Sequence, residues 1–337
     1  MALRFGGIRV NRILITGGSG FIGINLVHNL IFEIGNLEII NLDIKSPKND
    51  QFRCYWRDCS ILEKDKVFRI FDEFQPNLVI HLAARTDMFG KTLEDYRVNW
   101  QGTQNLLEAS KACKSVSRVI ITSTQYVCQP GYLPKSETDY SPHTLYGQSK
   151  VMAEEITRAA DLDCVWTIIR PTNIWGPYHP RYPFEFWKVL SKGYYFHPQG
   201  RQPVRCYGYV ENIVWQIEKI LKAPPEQVNR KTFYVGDRPI PLDKWVDGFA
   251  IALTGRKARR IPRGFLRSLA FVGDGLGLMG MRFPITSSRF RSMTEDYVVD
   301  MEPIFELFGE PPISLEEGIR RTAKWLQQSG YVNKIYI

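Results

Sequence analysis

Short apolar runs alternate with longer amphipathic stretches through the first half of the chain. The runs are rich in Ile, Val and Leu and stand at residues 13–16, 38–42, 78–82, 118–122 and 164–170. Between them lie stretches with helical periodicity, at 21–33, 60–74, 93–113 and 145–160. Continuously apolar strands separated by helices are typical of a parallel sheet with helices on both faces. With right-handed crossovers, the pattern predicts a doubly wound α/β fold.

The regular alternation ends near residue 177, where prolines and aromatic residues cluster. Beyond that point the patterns are shorter and mixed, with strands predicted at 206–210 and 232–235 and helices at 211–222, 242–254 and 314–328. We therefore expect a first domain over 1–176 and a smaller mixed α/β domain over 177–337. Some segments near 206–240 are expected to pack back on the first domain.

The composition is that of an ordinary globular protein, with 337 residues of which 44% are hydrophobic and 23% charged. The chain holds no run of about 18 uncharged apolar residues, and its N-terminus has no apolar signal-peptide core. These features predict a cytoplasmic protein without a transmembrane segment. The six cysteines are scattered and form no CxxC pair, which favours reduced thiols and predicts no metal site.

Positive charge is the one unusual global property, because the formal net charge is +9. The densest cluster is RKARRIPR at 256–263, which we interpret as a solvated loop, and no motif for nucleic-acid binding accompanies it. The stretch 265–281 is the most apolar part of the second half and contains Arg267 and Asp274. We expect it to be buried or to face a partner. A role at a membrane surface is the alternative, on composition alone.

Three glycines follow the first apolar run, in the stretch ILITGGSGFIG at 13–23. A strand, a glycine-rich turn and an apolar helix start together predict the βα turn that binds the phosphates of a dinucleotide. In that turn, Gly17 makes the tight bend, Gly20 lets a pyrophosphate approach the backbone, and Gly23 lets the helix pack close to the strand. The helix N-terminus favours the negative charge.

An acid stands where this motif expects one, since Asp43 lies 20 residues after Gly23 and ends the run EIINLD. A carboxylate at that position accepts hydrogen bonds from both ribose hydroxyls and repels a 2′-phosphate. The sequence therefore predicts NAD as the cofactor, in preference to NADP.

A tyrosine and a lysine are spaced four residues apart in TLYGQSKVMAEEI, at Tyr146 and Lys150. At that spacing both side chains lie on one face of a helix. A lysine ammonium beside a phenol lowers the phenol pKa, because the opposite charge favours the ionised form. Tyr146 is thus predicted to act as a general base near neutral pH.

The chain resembles the extended short-chain dehydrogenase/reductases, of the nucleotide-sugar epimerase/dehydratase type. The likeness covers roughly residues 12–215 and rests on motifs in order: TGGSGFIG, Asp43, RDCS with Asp58, VIHLAA, VNWQGTQNLLEA with Asn99, ITSTQYV, YGQSK and IIRPTNIWGP. It implies an NAD-binding Rossmann domain followed by a substrate-binding domain. It also implies homodimers built through helices 93–113 and 145–160.

The resemblance implies a catalytic triad of Thr124, Tyr146 and Lys150. The Thr124 hydroxyl would bind the substrate oxygen that loses or gains a proton, and Lys150 would also hold the nicotinamide ribose. The resemblance assigns further cofactor contacts to residues in the turn, after the third strand-like run and in the helix beyond it: Phe21, Ile22, Asp58, Cys59, Leu82, Ala83, Ala84 and Asn99. In the substrate-binding part it assigns Asn173 and Arg205 to the nucleotide diphosphate.

The sequence departs from the family pattern directly after Thr124. Dehydratases carry Asp-Glu there, to eliminate water, whereas this chain has Gln125 and Tyr126. Neither is a good acid or base at neutral pH, so dehydration and decarboxylation are disfavoured. The family also has Asp where Glu211 stands, which leaves the geometry around Arg205 open.

The sequence therefore predicts an NAD-dependent nucleotide-sugar epimerase that acts at C4 through a 4-keto sugar. The alternatives are a nucleotide-sugar 4-ketoreductase and a hydroxysteroid or alcohol dehydrogenase of the same superfamily. A non-catalytic dinucleotide-binding protein ranks last, because Thr124, Tyr146 and Lys150 are all present. The nucleotide and the sugar are not readable from the sequence.

Overall fold

The computed structural model describes residues 4–5, 8–9, 12–34, 37–281, 283 and 285–336. Its strands are β1 Arg4–Phe5, β2 Ile8–Arg9, β3 Arg12–Thr16, β4 Glu38–Asp43, β5 Trp56–Asp58, β6 Leu78–His81, β7 Arg118–Thr122, β8 Val165–Pro171, β9 Asn173–Trp175, β10 Phe196–Pro198, β11 Val204–Arg205, β12 Tyr207–Tyr209, β13 Lys231–Val235, β14 Ile240–Pro241 and β15 Arg259–Ile261. Its α-helices are α1 Phe21–Asn29, α2 Lys64–Phe74, α3 Arg97–Ala112, α4 Leu145–Ala159, α5 Lys188–Ser191, α6 Val210–Lys222, α7 Pro225–Val228, α8 Leu242–Thr254, α9 Arg263–Leu278, α10 Ser287–Ser292, α11 Glu302–Phe308 and α12 Leu315–Gln328.

Seven parallel strands form the central sheet, in the order β13-β8-β7-β6-β3-β4-β5. The strand order reverses between β3 and β6, which is the topological switch point of a doubly wound sheet. The register places Leu14 of β3 between Ile40 of β4 and Val79 of β6. The predicted fold class is confirmed. In such a sheet, ligands bind outside the carboxyl ends of the strands, at the switch point.

The sheet core explains why the strand sequences are continuously apolar. Leu14, Val79 and Ile121 come from adjacent strands and pack with Phe71 of α2 and Leu106 of α3, all almost fully buried. Burying a side chain of this size contributes about 1.5–3 kcal/mol each, so the strands are held mainly by this layer.

The described chain divides into two compact units. One comprises 1–174, 210–236 and 300–311, and the other 175–209, 237–299 and 312–337. The boundary predicted from the sequence lies between residues 176 and 177.

In the first unit, Arg118 of β7 binds the end of α6. Its guanidinium donates to the carbonyls of Ile220, Leu221 and Ala223 at 2.5, 2.7 and 2.8 Å. These are carbonyls that a helix end leaves without intrahelical partners. The last strand, β13, follows α7 and pairs in parallel with β8. The segment 210–236 is therefore tied to the sheet at both its helix and its strand.

The second unit has an aromatic core. Trp175 contacts the rings of Tyr209, Trp245 and Phe249 at centroid distances of 4.9, 6.1 and 5.3 Å. Helix α12 reaches this cluster because residue 318 is glycine. A Cβ there would lie 2.7 Å from the Trp175 ring.

The structure corrects one interpretation of the second half. The cluster at 256–263 is not only a loop, since residues 259–261 form β15, which pairs in parallel with β10. Of the two expectations for 265–281, burial does not hold, because α9 buries only Leu266, Ala270 and Gly273, while contact with a partner stays a prediction. Among the residues that the structure describes, no helix combines the length and the apolar character needed to cross a bilayer.

Candidate active site

The glycine turn joins β3 to α1 and packs closely against the segment after β6. Gly17 has a positive φ of 74°, and a Cβ there would lie 2.6 Å from the backbone nitrogen of Ala83. A Cβ at Gly23 would lie 2.3 Å from the Gly17 carbonyl oxygen. Both positions therefore require glycine for close packing, as the turn motif predicts.

Gly20 differs, because it is exposed and forms the N-cap of α1. No side chain caps the helix there, so the first-turn N–H groups face an uncovered N-terminus. Phe21 and Ile22 follow in the first turn and are half-buried. The turn thus fits a phosphate group at the N-terminus of α1, where no capping side chain stands in its way.

Asp43 lies at the end of β4 beside this turn. Its carboxylate accepts hydrogen bonds from the backbone N–H of Ser19, at 3.1 Å, and of Lys45, at 2.9 Å. Burial raises the pKa of Asp43, and the two N–H groups act in the opposite direction. The contact with Ser19 joins the carboxylate to the glycine turn.

Asp58 and Cys59 lie at the neighbouring edge strand. Asp58 is the register partner of Asp43 across β4 and β5, and its side chain is exposed. Cys59 is buried, and burial raises the pKa of its thiol to about 11. Of these two residues, only Asp58 therefore presents its side chain to solvent.

The segment after β6 runs past the glycine turn. The N–H of Leu82 donates to the Thr16 carbonyl at 2.9 Å, and the N–H of Ala83 donates to the Thr16 hydroxyl at 3.3 Å. Ala84 follows, and all three residues after β6 are half-buried. The structure thus brings Leu82, Ala83 and Ala84 to the turn that the sequence assigned to the phosphates.

Asn99 connects this segment to the helix that carries the predicted catalytic residues. Its amide accepts from the Arg85 N–H at 2.8 Å, donates to the Arg85 carbonyl at 2.9 Å and donates to the Ser149 hydroxyl at 2.9 Å. Asn99 is fully buried. In this structure it joins the loop at Arg85 to α4, and its expected contact with the cofactor stays a prediction.

Thr124 lies two residues after β7, Tyr146 and Lys150 lie on α4, and all three are buried. The Lys150 ammonium donates to the carbonyl of Thr122, the last residue of β7, at 2.8 Å. The first turn of α4 packs tightly on the turn after Thr124, since a Cβ at Gly147 would lie 2.3 Å from the Tyr126 carbonyl oxygen. The Tyr126 and Tyr146 rings lie 6.2 Å apart. The fold therefore gathers the three predicted residues at one end of β7.

Burial sets the charge state of the lysine. Burial lowers the pKa of Lys150 to about 8, while the charge of Glu154, one helical turn further along, raises it. At neutral pH the ammonium form therefore predominates, and it faces the end of β7.

A buried ion pair lies behind these residues, and the sequence analysis did not find it. Glu154 accepts hydrogen bonds from the Ser123 hydroxyl at 2.5 Å, from Arg170 Nε and Nη2 at 2.9 and 2.7 Å, and from the Tyr140 hydroxyl at 3.0 Å. Burial alone would lower the pKa of Arg170, but its hydrogen bonds to Glu154 raise it above the usual value. Ser123 directly precedes Thr124, so this pair holds the segment that carries the predicted hydroxyl.

The sequence did carry a signal for this pair. Glu154 follows Lys150 by four residues, which puts both on one helix face, and Arg170 stands in an otherwise apolar strand. A charge within a buried strand needs a partner.

Gln125 occupies the position where an eliminating enzyme needs an acid. Its side chain is fully buried, between Thr124 and Tyr126. A carboxamide does not exchange a proton at neutral pH. The site therefore has a hydroxyl, a phenol and an ammonium group, but no carboxylic acid at this position.

The two predicted substrate residues lie in different units. Asn173 begins β9 in the first unit and is half-buried. Arg205 lies in the second unit, where Nη2 donates to the Glu295 carbonyl at 3.1 Å. Its Nε is buried and has no hydrogen-bond partner among the described residues. A buried guanidinium nitrogen of this kind is a ready donor for a phosphate oxygen.

In the part of the chain that the structure describes, no three His, Cys, Asp or Glu side chains lie close enough together to bind a metal ion.

Comparisons with known proteins define the class. The chain matches the NAD dependent epimerase/dehydratase family over residues 13–236, which is more than half of its length. It therefore belongs to that family and is an enzyme, and the predictions of family and of NAD as cofactor are confirmed.

Individual relatives cover almost the whole chain. The 3 beta-hydroxysteroid dehydrogenase/Delta 5→4-isomerase of Vaccinia virus (strain Western Reserve) is 25% identical and covers 94% of this chain and 98% of its own. The N-acetyl-alpha-D-glucosaminyl-diphospho-ditrans,octacis-undecaprenol 4-epimerase of Escherichia coli O157:H7 is 27% identical, over 94% and 95%. The solved UDP-glucose 4-epimerase of Thermotoga maritima has a TM-score of 0.71 at 23% identity, over 94% and 99%. The last similarity shows the fold.

Proposed function

We propose that this enzyme is an NAD-dependent epimerase that inverts C4 of a sugar carried on a nucleoside diphosphate, through a 4-keto sugar. The observation that carries the proposal is the buried set Thr124, Tyr146 and Lys150 with Gln125, instead of an acid, next to it. Epimerisation needs a base and a hydride carrier. Elimination of water needs an additional acid, which this position lacks.

Tyr146 acts as the base and takes the proton from the C4 hydroxyl. Lys150 is buried and positively charged at neutral pH, so it favours the phenolate. The Thr124 hydroxyl binds the same substrate oxygen and fixes its position. Acid–base catalysis of this kind contributes about 10²–10⁴ in rate, and alignment supplies much of the remainder.

When bound, NAD supplies the hydride acceptor and donor for this reaction. The turn at Gly17, Gly20 and Gly23 would place its phosphates at the N-terminus of α1, together with the segment Leu82, Ala83 and Ala84. Asp43 would accept hydrogen bonds from a ribose, and Asp58 would contact the adenine. Lys150 would bind the ribose next to the nicotinamide.

Arg205 supports a diphosphate in the substrate. Its Nε is buried without a partner among the described residues, and a guanidinium is suited to phosphate oxygens. Asn173 is also proposed to contact the substrate. The names of two relatives fit, since one acts on a UDP-sugar and the other on a sugar linked through diphosphate to undecaprenol.

A hydroxysteroid dehydrogenase is the second candidate. The relative from Vaccinia virus favours it, because the likeness covers 94% of this chain. A hydroxysteroid dehydrogenase shares the need for a base and a hydride carrier, but it has no use for Arg205 as a diphosphate ligand.

A nucleotide-sugar 4-ketoreductase would use the same residues, with a cofactor that arrives reduced and leaves oxidised. A homodimer through α3 and α4 is a further proposal, which sedimentation equilibrium tests.

The first experiment identifies the nucleotide released on denaturing the purified protein. Stoichiometric NAD is expected, because an epimerase regenerates its cofactor in each cycle. UDP-, GDP- and dTDP-sugars are then assayed for interconversion of C4 epimers by chromatography. Tyr146→Phe should lower turnover by at least about 100-fold while NAD stays bound. Tyr132→Phe is the matched control, since its hydroxyl binds Asp139 at 2.6 Å.

Three results would contradict the proposal. An empty protein that turns over only with added NADH and a 4-keto sugar is a reductase. Oxidation of a hydroxysteroid, with no competition by UDP, GDP or dTDP, identifies the dehydrogenase. Wild-type turnover in Tyr146→Phe removes Tyr146 from the mechanism.

A further inference from the structure

Helix α9 exposes apolar side chains along the side opposite to its buried one. The buried side consists of Leu266, Ala270 and Gly273, spaced four and three residues apart. The exposed side chains form what we call the α9 apolar face, with relative exposures of 58%, 60%, 55%, 92% and 74% at Phe265, Phe271, Val272, Leu278 and Met279. Single exposed apolar residues are ordinary, but five in one stretch mark an interaction surface.

In α9, apolar side chains lie on the solvent-facing side as well as on the buried side. At 100° per residue, Phe271, Val272 and Leu278 project away from the buried stripe. The positions between them are small: Gly264, Ser268 and Gly275. The only acid of the helix, Asp274, accepts a hydrogen bond from the Ser287 N–H at the start of α10, at 3.1 Å. The apolar face itself therefore carries no negative charge.

Basic residues surround this face. Residues 256–291 contain nine Lys and Arg and one Asp, so this segment carries eight of the nine net positive charges of the chain. Arg260 is exposed but pairs with Asp243, and the other exposed ones form what we call the basic collar: Arg256, Lys257, Arg259, Arg263, Arg267, Arg289 and Arg291. Two guanidinium groups lie over aromatic rings, Arg267 over Phe271 at 5.8 Å and Arg263 over Phe290 at 6.0 Å. Positive charge and apolar surface are thus directly adjacent.

We propose that the α9 apolar face and the basic collar dock the protein on the surface of an anionic phospholipid bilayer. In this arrangement α9 lies in the plane of the interface, with its apolar side chains below the headgroups and its arginines among the phosphates. An interfacial helix combines apolar burial with attraction to anionic lipid in this way. With 16 residues, α9 is about 24 Å long, so it lies on the membrane instead of crossing it.

Charge decides between this occupant and two others. A second copy of the chain would bring an equally positive collar against the first, and like charges repel. A nucleic acid would match the charge but would leave the five apolar side chains against phosphate and sugar. An anionic bilayer satisfies both halves of the surface. The docking proposal does not depend on the proposed reaction, because no residue of the predicted active site belongs to the surface.

Vesicle flotation with the full-length protein tests the proposal. Wild type is expected to float with vesicles of phosphatidylcholine and phosphatidylglycerol, and to stay in solution with phosphatidylcholine alone. Raising the salt to about 0.5 M should weaken the binding, because the charges are exposed and are screened. Phe265→Ser with Phe271→Ser should weaken partitioning at least about tenfold.

Matched controls separate docking from general apolar exposure. Phe32→Ser with Leu133→Ser removes two side chains that are 58% and 80% exposed elsewhere, and it should float like wild type. Lys257→Gln with Arg267→Gln keeps the apolar face and should lose several-fold in binding to the anionic vesicles. Circular dichroism checks folding, and this charge variant decides the question if the aromatic variant is unfolded.

Three flotation results would overturn the proposal. Wild type would not float with the anionic vesicles, or the aromatic variant and its control would lose the same amount of vesicle binding, or wild type would bind neutral and anionic vesicles equally. Sedimentation equilibrium supplies another: a dimer that Phe265→Ser with Phe271→Ser makes monomeric, with no vesicle binding, assigns the face to self-association.

Discussion

Replacing Glu154 with leucine is expected to destabilise the protein by about 3–5 kcal/mol, because it leaves a buried arginine without its anion. Arg170 is only 2% exposed, and Glu154 accepts two of its hydrogen bonds. In the variant, Arg170 keeps the hydrogen bond from Nη2 to the Glu137 carbonyl, at 2.6 Å. A backbone carbonyl is neutral, so this bond does not compensate the positive charge of the guanidinium. The Ser123 hydroxyl and the Tyr140 hydroxyl lose an acceptor as well.

Urea unfolding, followed by tryptophan fluorescence, measures the free energy of unfolding. An exposed ion pair provides the control: Glu108 contacts Lys64 at 2.6 Å with both side chains more than a third exposed. Glu108→Leu should cost less than about 1 kcal/mol, because exposed pairs contribute little. Glu154→Leu with Arg170→Met should recover most of the loss, since replacing both members of a buried pair is often nearly neutral.

The reasoning is refuted if Glu154→Leu costs no more than Glu108→Leu. It is refuted equally if the double variant is as unstable as the two single losses added together. Either result would mean that Arg170 finds solvent or another partner on its own, and that the pair does not hold the segment before Thr124.

Three further predictions concern the cofactor turn and the buried histidines. Gly23→Ala should weaken NAD binding at least about tenfold, measured by calorimetry, because the new Cβ would lie 2.3 Å from the Gly17 carbonyl oxygen. Gly20→Ala is the control and should weaken binding less, because its Cβ would lie 3.1 Å from the same oxygen. Equal losses in the two variants would contradict the packing argument. Asp43→Asn should lower the preference for NAD over NADP about tenfold, from the ratio of dissociation constants, and an unchanged ratio would remove Asp43 from ribose recognition. Burial lowers the pKa of His81 to about 3, so the free energy of unfolding falls by about 1.4 kcal/mol per pH unit for this one proton as pH falls from about 6.5 towards 3. His81→Asn should remove this contribution from the pH dependence of the free energy of unfolding, measured by urea titration. An identical pH dependence in the variant would show that His81 titrates normally.

The sign of the histidine effect follows from proton counting. The unfolded chain takes up a proton at His81 near pH 6.5, whereas the folded chain does not until about pH 3. Between those values the unfolded state binds more protons, so acid favours unfolding. His179 behaves alike, since burial lowers its pKa to about 3, and the wild-type slope therefore contains both.

Local patterns predicted the features that local chemistry determines. The turn at Gly17, Gly20 and Gly23 needs a strand before it and a helix after it, and both are adjacent in sequence. Tyr146 and Lys150 lie one helical turn apart, so their spacing is enough to place them on one face. The helix at 242–254 was predicted with the bounds that the structure gives it.

Features that depend on distant partners were missed or misjudged. The pairing of Arg170 with Glu154 joins a strand to a helix, so a pattern within one element can signal that a charge needs a partner but cannot identify that partner. Residues 259–261 form a strand only because β10, some 60 residues earlier, lies beside them. Predicted helix 60–74 begins at Lys64 instead, since the Ser60 N–H is bound by the Glu63 carboxylate in a turn before the helix. The exposure of α9 depends on what packs against it, and hydropathy does not report that.

The return of the chain to the sheet has a consequence for synthesis. Strand β13 completes the sheet at residues 231–235, and Arg118 receives its three carbonyls only from residues 220–223. A nascent chain that has emerged as far as residue 209 therefore holds six strands, with the edge of β8 unpaired. Unpaired strand edges recruit other strands. Until the ribosome has delivered the next 26 residues, the nearly finished sheet is at its most vulnerable to aggregation.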